Sequence, residues 1–175
     1  MVQLRYLIWT TSLTSIDIAI LNAGILGEID TLEKTNLLHM KDAMEVNVWA
    51  NKEIIDALSS YSFVRQVVGI SSGAAINGSK GWGTYSISKS ALNMLLKVYS
   101  KELPEIHFTA LAPGVIKTPM TEYVMQKVDD SLFPSVKALK ENHIQTPKEA
   151  AKNLIFIMPK LLEHESGSFL DVRSM

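Results

Sequence analysis

Four short apolar runs, separated by helical patterns and broken by polar or glycine-bearing turns, set the narrowest limit on what this chain can fold into. They are "IDIAIL" (16–21), "VRQVVGI" (64–70), "HFTALA" (107–112) and "GSFLDV" (167–172). Between them the spacing predicts helices over 36–59, 84–103 and 146–162. The last opens with Thr146-Pro147, an N-cap followed by proline at the first helical position. Strands alternating with helices make βαβ units and a parallel sheet covered on both faces. In such sheets, ligands bind beyond the carboxyl ends of the strands. The turns at those ends carry Asn22-Ala23-Gly24, Ser71-Ser72-Gly73 and Pro113-Gly114. Ordinary turn chemistry accounts for any one of them; three together mark a candidate site.

Composition narrows the function classes. A chain of 175 residues makes one domain with a sizeable core, and 47% hydrophobic with 20% charged residues suits a soluble globular protein. A net charge of -1 argues against nucleic-acid and polybasic membrane partners. There is no cysteine, so disulfides and thiolate metal sites are excluded. His39, His107, His143 and His164 are scattered without ligand spacing, and no metal is expected. "MVQLRYLIWTTS" holds an apolar run too short for a signal sequence, and no stretch approaches a membrane span. The expectation is an intracellular, cytoplasmic protein.

The two long helices carry the chemistry. In helix 36–59, Met40, Met44, Ile54, Ile55 and Leu58 share a stripe with Asn47 near its middle. A buried amide must find partners or it costs a few kcal/mol. Asn47 is therefore either a structural clamp or part of a site. Helix 84–103 has one apolar stripe of Tyr85, Leu92, Leu96, Tyr99 and Leu103, and a second of Ile87, Ala91, Met94 and Val98. A polar line of Ser86, Ser90, Asn93, Lys97 and Ser100 runs between them. One stripe faces the sheet; the other needs a second apolar partner, a neighbouring helix or another subunit. Tyr85 and Lys89 are neighbours four residues apart. A free tyrosine, with a pKa of about 10, is a poor acid or base at neutral pH. A nearby ammonium favours its ionised form, so the pair reads either as packing or as a proton-transfer couple.

These motifs together resemble the short-chain dehydrogenase/reductase family from "IDIAILNAG" onward. Tyr-x-x-x-Lys alone is weak. It gains specificity from a serine thirteen residues earlier, a helical asparagine, Asn-Ala-Gly and Pro-Gly. The resemblance implies a Rossmann-like, doubly wound parallel sheet and a catalytic tetrad of Asn47, Ser72, Tyr85 and Lys89. Tyr85 would be the general acid, and Lys89 would lower its pKa and hold the nicotinamide ribose. Ser72 would bind the substrate oxygen, with Ser71 as its rival, and Asn47 would support a proton relay through water. The resemblance assigns Asn22, Ala23, Gly24, Pro113, Gly114, Ile116 and Thr118, with Tyr85 and Lys89, to the cofactor. Residues of about 118–145 would form a substrate lid, and Trp82 would line its mouth or simply pack.

The nearest branch by motif is that of sepiapterin and benzil reductases. It implies reduction of a small ketone or dicarbonyl, with NADP(H) ahead of NAD(H). The surplus helical stripes resemble the family's dimer interface, so a homodimer or homotetramer through helices 36–59 and 84–103 is expected. The family's opening strand and Thr-Gly-x-x-x-Gly-x-Gly turn are not present, and Leu21 stands where an asparagine is common. The expectation is therefore a single partial domain over 1–175 that lacks its first βαβα portion, with "IDIAIL" as a sheet edge. A rival reading follows: an inactive fragment serving as a dimerising or binding module. A serine hydrolase fits poorly, since "ISSGAA" lacks the Gly-x-Ser-x-Gly elbow.

Overall fold

The computed structural model describes residues 15–61, 63–141 and 144–175. The opening "MVQLRYLIWTTS" and His143 lie outside them. Strand β1 (Ser15–Leu21) is followed by helix α1 (Leu37–Met44), a wide π turn (Glu45–Trp49) and helix α2 (Ala50–Tyr61). Strand β2 (Phe63–Ile70), the short α3 (Ala74–Asn77), the long α4 (Gly83–Glu102) and β3 (His107–Ala112) come next. Helices α5 (Pro119–Lys127), α6 (Pro134–Glu141) and α7 (Pro147–Ile157), a 3-10 turn (Met158–Glu163), β4 (Ser168–Asp171) and a last 3-10 turn (Val172–Ser174) complete the order.

The four strands form one parallel sheet in the order β1-β2-β3-β4. Parallel neighbours cannot be joined by tight turns, so each connection crosses a face as helix. On one face, Ile55 and Leu58 of α2 and Leu92, Leu96 and Tyr99 of α4 pack on Val67, Phe108 and Ala110. On the other, Met158 and Leu161 cover Val68 and Leu111. A third cluster, Leu26, Val124, Phe133 and Val136, joins α5 and α6 to the loop after β1. Fully burying one such side chain contributes about 2 kcal/mol. The sheet therefore holds its strand ends in register through these layers.

Strand β1 is an edge. Among the described residues it pairs only with β2, and Ile18 and Ile20 stand exposed on the face that Gln66 and Val68 continue. This is the edge expected for "IDIAIL". Three details differ from the sequence reading: the helix expected over 146–162 gives way at Met158 to a 3-10 turn, and two others lie nearer the site. Helix 36–59 is broken at Glu45–Trp49 into a π turn, which periodicity alone does not reveal. The polar line on α4 is divided: Ser86 and Ser100 are buried, while Ser90 and Lys97 face solvent. Ser100 is covered because Gly167, just before β4, packs directly on it.

Candidate active site

The carboxyl ends of β1, β2 and β3 open into one cleft of about 890 Å³. Its floor holds Asn22 and Gly24 after β1, Ser71 and Ser72 after β2, and Pro113 and Gly114 after β3. Tyr85 and Lys89 from the first turns of α4 reach into it from one side. Helices α5 and α6 close the other side with Met120, Val124, Ser135 and Leu139. Ile116 and Thr118 also line the cleft, whereas Ala23 does not.

The two serines after β2 are held differently. Ser71 is buried and its hydroxyl donates to Asn93 Oδ1 at 2.6 Å, which ties β2 to α4. Ser72 is half-buried, and its hydroxyl accepts from the Ala74 amide at 3.1 Å. Ser72 is thus the serine whose side chain remains available beside Tyr85.

Asn47 sits inside the π turn, wholly buried. Its Oδ1 accepts from the Ile25 amide at 2.8 Å; its Nδ2 donates to the Ile25 carbonyl at 2.8 Å and to Ser88 Oγ at 2.9 Å. All polar atoms of the amide are used, so it clamps the loop after β1 onto α4. Its own carbonyl accepts from Asn51 Nδ2 at 2.8 Å. A π turn widens the helix locally and is common at functional sites; here it presents Asn47 to Ile25. Gly24 completes the junction. A β-carbon there would lie 3.2 Å from Lys89 Nζ and 3.3 Å from Asn47 Oδ1, so glycine lets the two side chains close on the backbone.

Lys89 is 3% exposed, and its Nζ donates to the Ile70 carbonyl at 2.7 Å, the last carbonyl of β2. Burial lowers its pKa to about 8. Its Nζ lies 5.7 Å from the centre of the Tyr85 ring. The expectation that Lys89 would pull the Tyr85 pKa down is not met. Burial raises the phenol above its ordinary value, and the Ser72 side chain only opposes that rise. The reason is physical: desolvation disfavours phenolate, and the lysine that would offset it is itself desolvated. Tyr85 in this cleft is a protonated phenol at neutral pH.

Ser135, Gln145, Asn77 and Arg173 were not singled out from sequence, whereas Trp82 and Thr118 were. Trp82 does line the cleft, and its indole N–H donates to Ser135 Oγ at 2.7 Å, joining the loop before α4 to α6. The Lys117 amide donates to the Gln145 carbonyl at 2.8 Å, tying the segment before α5 to the segment before α7. Thr118 caps α5 reciprocally with Thr121, which is the use its hydroxyl has here. Asn77 and Arg173 also reach the cleft. A single serine or asparagine in a short helix, as Ser135 and Asn77 are, carries no pattern that would have marked it, and Arg173 lies beyond the last strand.

A sequence model of the short chain dehydrogenase family matches residues 9–129. The chain belongs to this family of oxidoreductases. It is 34% identical over 163 residues to sepiapterin reductase of Rattus norvegicus, covering 86% of this chain and 60% of that protein. It is 28% identical over 164 residues to benzil reductase ((S)-benzoin forming) of Bacillus subtilis, covering 87% and 66%. The chain therefore spans less than two thirds of either relative. A solved short chain dehydrogenase from Shigella flexneri, complexed with NADP, shares the fold with a TM-score of 0.76 at 22% identity, covering 98% of this chain and 68% of that one. Among the described residues no helix is long and apolar enough to cross a membrane, and no group of acidic and histidine side chains could hold a metal ion.

Proposed function

We propose that this chain is an NAD(P)-dependent oxidoreductase that reduces a small ketone or dicarbonyl, with Asn47, Ser72, Tyr85 and Lys89 as its tetrad. The observation that carries this reading is the convergence of Ser72, Tyr85 and Lys89 on one cleft, with Asn47 fastened beside Lys89 at Gly24. A phenol that keeps its proton is suited to donate it to an oxygen that gains negative charge. Ser72 offers that oxygen a hydrogen bond. Lys89, held by the Ile70 carbonyl, keeps positive charge below the phenol at neutral pH. Asn47 supports the relay as a fixed clamp.

The residues present fit the nicotinamide-ribose half of a dinucleotide. Gly24 leaves no bulk above Lys89, and Gly114 (φ 80) turns the chain away after Pro113 at the neighbouring strand end. Asn22, Pro113, Gly114, Ile116 and Thr118 would hold this half, with Ala23 shaping the turn between Asn22 and Gly24 and Lys89 reaching the ribose. When bound, the reduced nicotinamide supplies hydride to the carbonyl carbon. NADP(H) is favoured over NAD(H) by analogy with the NADP complex of the Shigella flexneri relative. Residues of about 118–145 serve as the lid. A cytoplasmic setting and a homodimer or homotetramer through helices 36–59 and 84–103 complete this reading. Isothermal calorimetry with NADPH, followed by an assay of NADPH consumption with a panel of small ketones, tests it on the full chain. Saturable binding and turnover are expected; turnover no faster than buffer contradicts it.

A second reading is a non-catalytic dimerising or binding module. The exposed Ile18 and Ile20 of β1, and the exposed Ile87, Met94 and Val98 of α4, favour it. Absence of calorimetric NADPH binding together with stable self-association is the outcome that selects it.

A further inference from the structure

The charged side chains that line the cleft are Lys89 and Arg173, both cationic, and no carboxylate of the described residues lines it. Lys89 is occupied by Ile70 and lies beneath Tyr85. Arg173 stands at another part of the rim, in the 3-10 turn after β4. Its guanidinium is fixed from behind: Nε donates to Asp171 Oδ1 at 2.9 Å and Nη2 to Asp171 Oδ2 at 2.6 Å. Among the described residues Nη1 makes no hydrogen bond, so a directed pair of N–H groups remains.

Two glycines make room for this arm. A β-carbon at Gly73 would lie 3.2 Å from Arg173 Nη2, and one at Gly114 would lie 3.8 Å from the Arg173 Cγ and Cδ. The side chain thus spans the ends of β2 and β3 at the cleft. The Asn77 amide nitrogen comes within 3.6 Å of the same point above Gly73. Gly73 is the residue next to Ser72, so two N–H donors gather one residue, about 3.8 Å along the backbone, from the serine proposed to bind the reacting carbonyl.

We infer that Arg173 and Asn77 form a carboxylate subsite, and that the carbonyl substrate is a short oxo acid with its carboxylate close to the reacting carbon. Planar N–H groups on arginine match carboxylate geometry, and among the described residues the charged side chains that line the cleft are cationic. Asp171 fixes the orientation of the guanidinium; its Oδ2 lies 3.9 Å from the same point above Gly73 but is taken up by Nη2, so a ligand carboxylate would meet the N–H groups that Asp171 leaves free. The inference rests on the carbonyl-reductase reading for its reaction, but not for its binding.

The test compares 2-oxopentanoate with its methyl ester, which keeps the carbonyl and adds one methyl group but removes the charge. The ratio of kcat/KM for acid over ester is measured for the full chain and for Arg173→Met and Arg173→Lys. In Arg173→Met the ratio should fall about tenfold or more, with partial recovery in Arg173→Lys. An equal loss for both substrates, or an unchanged ratio, overturns the subsite. So does a loss confined to NADPH affinity, which would place Arg173 against a cofactor phosphate. Saturation-transfer NMR with 2-oxopentanoate alone gives a readout that needs no turnover. Binding to the unmodified chain that is lost in Arg173→Met supports the subsite even if no ketone is reduced, and no binding to the unmodified chain refutes it. Failure of the reductase reading shows differently, as no turnover of any ketone.

Discussion

Lys89 supports Tyr85 from 5.7 Å below the ring centre, yet its own hydrogen bond goes to the Ile70 carbonyl rather than to the phenol. The two groups meet as a cation near an aromatic ring rather than through a hydrogen bond, and burial is the main cause of the shift in each. Tyr85 keeps its proton to a higher pH than a free phenol, while Lys89 loses its charge at a lower pH than a free lysine.

The pH dependence of reduction follows from those directions. A general acid works in its protonated form, and a raised pKa extends that form into alkali. Lys89, at about 8, is then the first of the two to change state as pH rises. The reduction rate should be level across neutral pH and decline through about pH 8, below the value of about 10 for a free tyrosine. Initial rates across pH 6–10 (roughly the range bounded by these groups) check this. A rate that climbs steadily through that window counts against it.

Stability should carry the same mark. The folded pKa of Lys89 is about 8, against about 10.4 for an unfolded lysine. Below pH 8 the buried ammonium destabilises the fold in full. Between about 8 and 10 the unfolded chain binds more protons, so stability rises with pH and the penalty fades. The difference in unfolding free energy between wild type and Lys89→Met should move toward wild type by about 3 kcal/mol across that window. Urea titrations at pH 7 and pH 10 measure it; a difference independent of pH would show that Lys89 is not strained by burial.

Asn47→Ala removes the partner of the Ile25 amide, the Ile25 carbonyl and Ser88 Oγ together. Leaving part-buried groups unpaired costs about 1–3 kcal/mol each at most, and a total loss of about 3 kcal/mol is expected from urea unfolding. A loss below about 0.5 kcal/mol, the size of an ordinary surface change, would mean that the clamp holds nothing.

Much of this arrangement was legible in the residues. The strand at 107–112 matches the sequence bounds, and α4 starts one residue early, at Gly83, because a long apolar stripe leaves little freedom of register. The π turn was not legible in the local pattern; it holds Asn47 against Ile25, a partner 22 residues away. Ser71 and Ser72 were open alternatives because only the position of Asn93 on α4 separates them. The direction of the Tyr85 shift was misread for a similar reason. Sequence spacing shows that a cation is near, but not how dry the phenol and the cation both become.

The outer stripe of α4 gives a prediction on assembly. Ile87, Met94 and Val98 are exposed large apolar side chains on one helix. A contiguous apolar face of this kind marks an interaction surface. Light scattering should show a dimer or tetramer for the unmodified chain and a monomer for Val98→Glu. A monomer in both cases would contradict the proposed interface.

The central claim is that Tyr85 donates the proton in a nicotinamide-dependent carbonyl reduction. The most direct measurement is the rate of NADPH-dependent ketone reduction by the full chain beside Tyr85→Phe, which removes one hydroxyl. General acid catalysis contributes about 10²–10⁴-fold, so the variant should be slower by at least about a hundredfold while remaining folded. Equal rates for the two proteins, or no turnover by either, would contradict the account.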